Sequence, residues 1–414
     1  MHQSRDERRS EASAPPHLTP AVLATLALLG AVAPLATDTY LPSFPQVASD
    51  LHASESSVQL TLTLFMIGMG LGQLFWGPIS DRRGRRGLLL WACALFVAAS
   101  VVAPMSTSIG MLVAMRFLQG FTGAVGPVLG RAVARDLASG LALARAFSLL
   151  GIITSLAPIV APVLGGLLAD PIGWRGILWV VAVIAVLMLV SSFTMVPESL
   201  PPGRRQPGGL RDIVRSAGDV LTDLPFVGYT LTQSFGIGIL FSFISGSSFV
   251  LQNEYGLGST TYALLFALNA LALILGGVFN TRFLGRYRPT SLLRIGLIAS
   301  IIASAATATV TLVTSEPPLW VLLPLIWIAS LCNAPIMANT TTLGLQRHAR
   351  NAGMAAAVMG AIQSALAGLI AQMVSITGSA SAVSMTLVMA GSAILAGVAF
   401  VALCRRDEVG EQEA

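Results

Sequence analysis

The sequence contains no lysine and little charge of either sign. All 24 basic residues are arginine, and charged residues make up 10% of the 414 positions. A soluble domain carries about 25% charged residues, so an ordinary soluble enzyme is excluded. Without lysine the chain has neither the Gly-Lys-Ser/Thr of a phosphate-binding loop nor a Schiff-base nucleophile. We therefore expect no ATP hydrolysis, no enzyme activity and no cofactor.

Cysteine and clustered basic charge are also scarce. The three cysteines, Cys93, Cys332 and Cys404, are far apart and lie in or beside apolar segments, so the sequence shows neither a disulfide framework nor a metal site. The net charge of +5 comes from arginines scattered between apolar runs. No basic patch is visible, so we expect no nucleic-acid partner.

Twelve apolar runs make up most of the chain. Hydrophobic residues account for 54% of the sequence, and the mean hydropathy is +0.77. A helix needs about 20 apolar residues to cross a bilayer core about 30 Å thick. The runs lie near residues 21–44, 56–79, 88–104, 108–130, 146–169, 176–196, 224–250, 260–282, 291–313, 319–342, 352–377 and 382–403. This pattern predicts an all-α polytopic membrane protein with 12 transmembrane helices, embedded in the lipid bilayer.

The longest internal hydrophilic segment divides the runs six and six. Much of this segment is rich in Pro, Gly and Arg, and we predict that it is disordered, as is the polar start of the chain. The predicted units are an N-terminal tail at 1–18, a six-helix bundle at 19–196, a central loop at 197–223, a second six-helix bundle at 224–403 and a C-terminal tail at 404–414.

The distribution of arginine predicts the orientation in the membrane. Loops that retain positive charge stay in the cytoplasm, and alternate loops, counted from the N-terminal tail, hold 22 of the 24 arginines. Both termini and the central loop are therefore expected in the cytoplasm, with the protein in the cytoplasmic membrane. A faint internal repeat supports two related halves: GPISDRRGRR at 77–86 is echoed by GVFNTRFLGR at 277–286.

Two ionisable residues lie well inside apolar runs, Asp38 in the first and Arg116 in the fourth. Such a charge costs about 2.5–3.5 kcal/mol on insertion scales and usually faces a cavity or a partner. Both residues are expected about 12 Å below the outer surface, so they can meet. A carboxylate beside a low-dielectric cavity can bind a proton near neutral pH. We assign proton coupling to Asp38 and Arg116; a structural ion pair or a helix cap at Asp38 is the alternative.

The loop after the second run carries the most specific pattern. Its glycines permit a sharp turn, its arginines stay in water, and Asp81 can pair with Arg131, Arg135 or a helix N-terminus. Asn351 is a candidate cap for one such N-terminus. We interpret the loop as a gate rather than an ordinary basic loop, with the gating residues Gly77, Asp81, Arg82, Gly84, Arg85 and Arg86.

Proline and glycine mark the fifth run, where Pro158, Pro162, Gly165 and Gly166 follow one another closely. Small residues let helices approach and proline bends them, which predicts a sealed contact between the bundles; simple close packing is the alternative. Polar and aromatic residues in other runs are candidates for lining a substrate cavity, or for packing between helices. They are Tyr40, Gln59, Gln119, Gln233, Asn269, Asn333 and Gln363.

Three of these segments resemble motifs of the major facilitator superfamily. GPISDRRGRR resembles motif A, RFLQG at 116–120 resembles motif B, and APVLGG at 161–166 resembles the antiporter motif C, with Ala161 in place of the usual glycine. More narrowly, DTYLPSFP at 38–45 and the segment 243–277 are similar to the Bcr/CflA drug-resistance transporters. The resemblance covers nearly all of residues 20–403.

The resemblance implies the major facilitator fold, with two six-helix bundles that alternate in access. It further implies proton-driven export of small drugs of the bicyclomycin or chloramphenicol kind. We expect the protein to act as a monomer. Asp38 then matches the acidic coupling position, Arg116 the buried arginine of motif B, and Asp81 the gate aspartate of motif A. Two other interpretations remain, a proton-coupled importer of a nutrient or metabolite on the same fold and a transport-dead sensor.

Overall fold

The structure is a computed structural model that describes residues 17–205, 210–314, 317–376 and 379–404, with the backbone alone at 210–214 and 350. These ranges contain helices and connecting turns but no β-strand, so the all-α prediction is confirmed. The helices are α1 Pro20–Asp38, α2 Phe44–Asp50, α3 Glu55–Arg83, α4 Arg85–Val102, α5 Ile109–Gly123, α6 Val125–Leu137, α7 Gly140–Met195, α8 Leu210–Leu221, α9 Leu224–Phe249, α10 Ser259–Phe283, α11 Pro289–Val313, α12 Leu319–Arg347, α13 Ala352–Met373 and α14 Ala382–Leu403.

Eleven helical stretches within the described ranges are long and apolar enough to cross a membrane. Two of them contain two helices each: α1 and α2 are joined by a turn and the 3-10 helix Leu41–Ser43, and α5 and α6 are separated by a single residue. The 56-residue α7 would be about 84 Å long if it were straight, far more than one crossing needs. Gly173 breaks it with φ 64° and ψ 179°, just after Pro171. The stretch therefore holds two crossings, and the predicted total of twelve is confirmed.

The central loop is more ordered than the sequence interpretation expected. It contains α8, whose Val220 is buried against Phe226, Val358 and Met359 of the second half. The prediction that much of this loop is disordered was therefore wrong for 210–221. In the sequence 210–221 the apolar residues recur at helical spacing, a pattern that the overall polarity of the segment conceals. The predicted tails, 1–18 and 404–414, fall almost entirely outside the described residues.

Six crossings form each half, and large apolar side chains cover the outside. In the first half α3 packs on α5, and α7 packs on α1 and α4; in the second, α9 packs on α12, α13 and α14. Trp91, Ile302 and Trp320 are 71%, 64% and 79% exposed. Apolar exposure on this scale is characteristic of a surface that faces lipid.

The halves contact each other mainly through α3 with α13 and α7 with α10. The molecule has two ends, which we name by their loops. The arginine-rich end carries Arg82, Arg83, Arg85, Arg86, Arg135, Arg282, Arg286, Arg288 and Arg347. The opposite end carries the connecting segments 51–54, 106–108, 255–258 and 379–381.

Polar contacts hold the halves together at the opposite end. The Ser259 hydroxyl donates its one hydrogen bond to the Asp170 carboxylate and lies 3.1 Å from each of the two oxygens. Glu55 accepts from the Asn253 amide at 3.0 Å and from the backbone N–H of Ala380 at 2.8 Å. Toward the arginine-rich end, the last hydrogen bond between described residues that joins the halves is the one from Gln73 to Ser364, at 3.5 Å. This conformation is therefore closed at the opposite end.

Two adjacent glycines place α7 against both halves at once. A Cβ added at Gly165 would lie 2.2 Å from the backbone oxygen of Thr39, just after α1. A Cβ at Gly166 would lie 2.4 Å from Cβ of Ala263 on α10. Neither position has room for a side chain. The contact between the halves therefore depends on residue 166 being a glycine.

Gly166→Val should separate the halves at the opposite end, because its side chain would collide with Ala263. Spin labels at Ala53 and Gly258, in a background with the three cysteines replaced by alanine, would report the separation as a longer distance. Gly151→Val is the matched control, since a Cβ at Gly151 on the same helix meets nothing within 4 Å. An unchanged distance in Gly166→Val would contradict this account of the closed end.

Candidate functional site

Arg116 is a fully buried cation at the centre of the first half. Gly120, one turn later on α5, allows the close approach to α3, because a Cβ there would lie 1.9 Å from the Phe65 carbonyl oxygen. The guanidinium carbon then lies 4.6 Å from the ring centroid of Phe65 and 5.1 Å from that of Tyr40. Contacts of this kind contribute about 2 kcal/mol or more each when desolvated.

The hydrogen bonds of Arg116 satisfy only part of its guanidinium group. Nη1 donates to the backbone oxygen of Ala36 at 3.0 Å and to Oε1 of Gln119 at 2.9 Å. Gln119 in turn donates to the Ser100 hydroxyl at 2.9 Å. Nε and Nη2 are buried without a hydrogen-bond partner among the described residues. An arginine has five N–H donors, so this site retains donors that can bind an acceptor.

Asp38 is the last residue of α1 and is only 7% exposed. One carboxylate oxygen accepts a hydrogen bond from the Thr37 hydroxyl at 2.9 Å. Arg116 is close enough for the two charges to interact through space. Yet no salt bridge of 4.0 Å or less joins Asp38 to any described cation. The two predicted coupling residues therefore lie in one region, with their charges unpaired in this conformation.

The segment that follows Asp38 is held by the second half. The backbone oxygen of Leu41 accepts from the Ser248 hydroxyl at 2.7 Å, and that of Pro42 accepts from the Gln252 amide at 3.0 Å. Both donors belong to α9 and its C-terminal extension. Asp38 thus lies where the first half meets the second, so a change at its carboxyl group acts close to the contact between the halves.

The predicted cavity residues fall into separate groups. Tyr40 and Gln119 belong to the Arg116 cluster, and the Tyr40 hydroxyl has no described partner. Gln59 joins the halves, because its amide donates to the Ser245 backbone oxygen at 3.0 Å.

The remaining four candidates lie in the second half. Gln233 donates to Gln363 at 2.5 Å, and Asn269 accepts from the Ser330 hydroxyl at 2.7 Å. Asn333 is fully buried with neither amide atom hydrogen-bonded to a described residue. Of these residues Gln363 is only partly buried.

The gate loop lies at the arginine-rich end, away from Asp38. Gly84 lies between the end of α3 and the start of α4. Its φ is +96°, which glycine adopts readily. Arg85 is buried, and its guanidinium pairs with Asp81 at 2.5 Å and Asp136 at 3.1 Å. Asp81 therefore pairs within its own loop rather than with Arg131 or Arg135. Asn351 precedes α13, but its side chain makes no capping hydrogen bond.

The other members of the loop have simpler surroundings. The Gly77 carbonyl accepts from the Ser80 hydroxyl at 2.7 Å, and Arg86 donates to the Phe193 carbonyl at 2.8 Å. Arg82 and Arg83 are exposed. These contacts all remain within the first half.

Two acidic residues of this cluster were missed by the sequence interpretation. Asp136 pairs with Arg85, and Glu198 accepts from the backbone N–H groups of Arg85 at 2.9 Å and Arg86 at 3.3 Å. Glu198 thereby caps the start of α4, where an anion is favoured by the helix dipole. Its position directly after the sixth run was an available signal, but nothing in the sequence shows which helix it would cap.

Glu198→Ala should lower the stability of the protein, because two N–H groups at the start of α4 lose their acceptor. We expect a loss of about 0.5–2 kcal/mol, measured as a lower melting temperature in detergent. Glu198→Gln keeps an acceptor without the charge and should lose less. Equal melting temperatures for Glu198→Ala and the unmodified protein would show that the cap does not stabilise α4.

Comparisons with known proteins agree with this architecture. The family described as Major Facilitator Superfamily matches residues 26–396. In Bacillus subtilis (strain 168), the uncharacterized MFS-type transporter YdgK is 39% identical over 392 residues, covering 94% of this chain and 96% of the relative. A bicyclomycin resistance protein homolog of Haemophilus influenzae is 30% identical over 383 residues, 92% of this chain and 96% of the relative.

A multidrug resistance protein, MdtL of Escherichia coli O81 (strain ED1a), is 30% identical over 261 residues, which cover 63% of this chain and 66% of the relative. Among solved structures, the nucleoside transporter NupG matches with a TM-score of 0.73 and 14% identity, over 92% of this chain and 98% of NupG. A D-xylose–proton symporter matches with a TM-score of 0.66 and 16% identity, over 91% of this chain and 96% of the symporter.

The structural matches confirm the predicted fold, two six-helix bundles of the major facilitator type. The family match and the relatives also confirm that the chain is not an enzyme. The chain is a multi-pass membrane transporter that belongs to the Major Facilitator Superfamily, with the superfamily's drug-resistance transporters.

Proposed function

We propose that the protein exports small drug-like molecules from the cytoplasm in exchange for protons, as a monomer in the cytoplasmic membrane with both termini inside. The observation that carries the proposal is the Asp38 carboxyl group, which is buried at the contact between the halves and paired with no described cation. An acid inside a membrane span is costly and is usually kept for a function. The names of the relatives, a bicyclomycin resistance protein homolog and a multidrug resistance protein, support drugs as the substrate class.

Alternating access gives the two ends of the molecule their roles. In the orientation predicted from arginine, the arginine-rich end faces the cytoplasm and the closed opposite end faces outward. A drug would then enter the protein from the cytoplasm, and a proton would be released into the cytoplasm. Opening of the opposite end would require Asp170 and Glu55 to release their partners in the second half.

Competition at one site would couple the two fluxes. The unpartnered N–H groups of Arg116 can bind either a polar group of the drug or the deprotonated carboxyl of Asp38. Protonation of Asp38 removes its negative charge and so changes which of the two acceptors, the drug or the Asp38 carboxyl, Arg116 binds more favourably. One charge crossing about 100 mV releases about 2.3 kcal/mol, and a tenfold concentration gradient costs about 1.4 kcal/mol. One proton per drug therefore supports a gradient of more than tenfold.

Asp81 would act at the arginine-rich end when that end closes. Its side chain is 43% exposed here, although it pairs with Arg85. The start of α13 has no side-chain cap, and the first N–H groups of a helix favour an anion. Docking of Asp81 there would stabilise the state closed to the cytoplasm, while Gly77, Arg82, Gly84, Arg85 and Arg86 shape the loop that carries it.

Asp38→Asn should abolish proton-driven drug export while leaving downhill movement possible, because asparagine cannot take up and release a proton. Proteoliposomes loaded with radiolabelled chloramphenicol or bicyclomycin, with and without a pH gradient, would measure both. Asp219→Asn is the control, since Asp219 is exposed on α8, and it should behave like the unmodified protein. Export by Asp38→Asn at the unmodified rate under a proton gradient would contradict the coupling assignment.

Acidifying the outside of right-side-out vesicles should slow the entry of either drug, because inward proton flow drives the drug outward. A proton-coupled importer would show the reverse, faster entry at acidic external pH. The same vesicles treated with a protonophore provide the control, and the effect of pH should then disappear. Faster entry would show that the protein is an importer rather than an exporter. The fold and the assignment of Asp38 would still stand.

A further inference from the structure

Tyr262 of α10 is a fully buried tyrosine that the proposed mechanism does not use. Among the described residues its hydroxyl has one hydrogen-bond partner, the Ser247 hydroxyl of α9, at 3.4 Å. Hydroxyl groups usually bond at about 2.7–2.8 Å, so this bond is a weak one. Phe266 packs against the phenol ring, with the ring centroids 6.0 Å apart. The phenol is therefore fixed within the second half, while its hydroxyl is available for a stronger acceptor.

The packing of α7 brings Tyr262 close to Asp38, although the two residues belong to different halves. The residue after Asp38 lies against Gly165, and the residue after Tyr262 lies against the adjacent Gly166. Neither glycine has room for a side chain, so both contacts are close. The end of α1 and the start of α10 therefore meet α7 at the same level.

Helix α9 connects the same two places from another side. Its Ser247 is the partner of the Tyr262 hydroxyl. The next residue, Ser248, donates to the backbone oxygen of Leu41, three residues after Asp38. The phenol of Tyr262 is accordingly close enough to the Asp38 carboxyl group for the two to interact through space. No hydrogen bond joins these two described side chains in this conformation, so they are neighbours without a direct bond.

We propose that Tyr262 is a positioning residue for proton coupling, whose hydroxyl donates to the deprotonated Asp38 carboxylate and so holds the opposite end closed. The proposal rests on the role of Asp38 in the proposed function. A hydrogen bond to an ionised group is about twice as strong as one between neutral groups, so protonation of Asp38 weakens this bond. In the proposed cycle the bond forms after the proton is released to the cytoplasm. It then keeps the empty protein from returning before a drug binds.

Other ionisable groups act near this contact. Arg116 faces Asp38 from α5, within the first half. Glu55, Asp170 and Glu254 accept hydrogen bonds at the opposite end. A lower pH protonates these acids as well as Asp38, so the pH dependence of closure does not by itself identify the group. A double-mutant cycle cancels their contribution, because it compares the same change with and without the Asp38 charge.

Spin labels at Ala53 and Gly258 of the cysteine-free full chain, without drug and at alkaline pH, would measure the ratio of closed to open opposite ends. We expect Tyr262→Phe to lower this ratio about thirtyfold, the effect of losing one hydrogen bond to a charged group. In the Asp38→Asn background the same change should lower it only about fivefold, because the bond is then between neutral groups.

Tyr287→Phe is the matched control, since Tyr287 is 52% exposed at the arginine-rich end, and it should leave the ratio unchanged. Tyr262→Met removes the same donor and should show the same dependence on Asp38, which provides the test if Tyr262→Phe does not fold. Equal effects of the Tyr262 change with and without the Asp38 charge would overturn the proposal. No drug is present, so that result would leave the export experiments unaffected and would be distinguishable from a failure of the proposed function.

Discussion

The burial of the Arg116 charge is the constraint on which the proposed site depends. A cation removed from water costs several kcal/mol unless nearby groups compensate for the lost hydration. The protein supplies a backbone oxygen, the Gln119 amide and the faces of Tyr40 and Phe65, but no carboxylate within salt-bridge distance. A closed ion pair would have satisfied both charges within one half. In the proposed mechanism, the incomplete satisfaction of Arg116 is what lets this region respond to a proton or to a polar substrate.

The position of Asp38 connects that local chemistry to the whole molecule. Within a few residues the chain passes from the acid to Thr39, against which Gly165 of α7 packs, and then to the oxygens of Leu41 and Pro42 that α9 and its extension hold. A helix that ends at the junction of two bundles cannot shift without changing their contact. In the proposed mechanism, a change at the carboxyl group would thereby be transmitted to the two bundles, as alternating access requires.

The two ends of the molecule are stabilised in different ways. At the opposite end, acids of the first half bind donors of the second, so these bonds must break if the halves separate there. At the arginine-rich end, Asp81, Asp136 and Glu198 each bind Arg85, and none of these contacts reaches the second half. The charged cluster can therefore keep its helices together while that end opens.

The sequence by itself determined the twelve crossings and the all-helical fold, because the length and apolarity of a span are local properties set by the bilayer. It also identified Asp38 and Arg116 as candidates, since a charge within an apolar run stands out wherever the helix packs. Tertiary structure alone decided that Arg116 binds the Ala36 carbonyl, that Asp81 pairs with Arg85, and that Glu198 caps α4. Every residue has a carbonyl, and each acid had several possible partners. Which of them meet depends on how distant helices pack, and no local pattern records that.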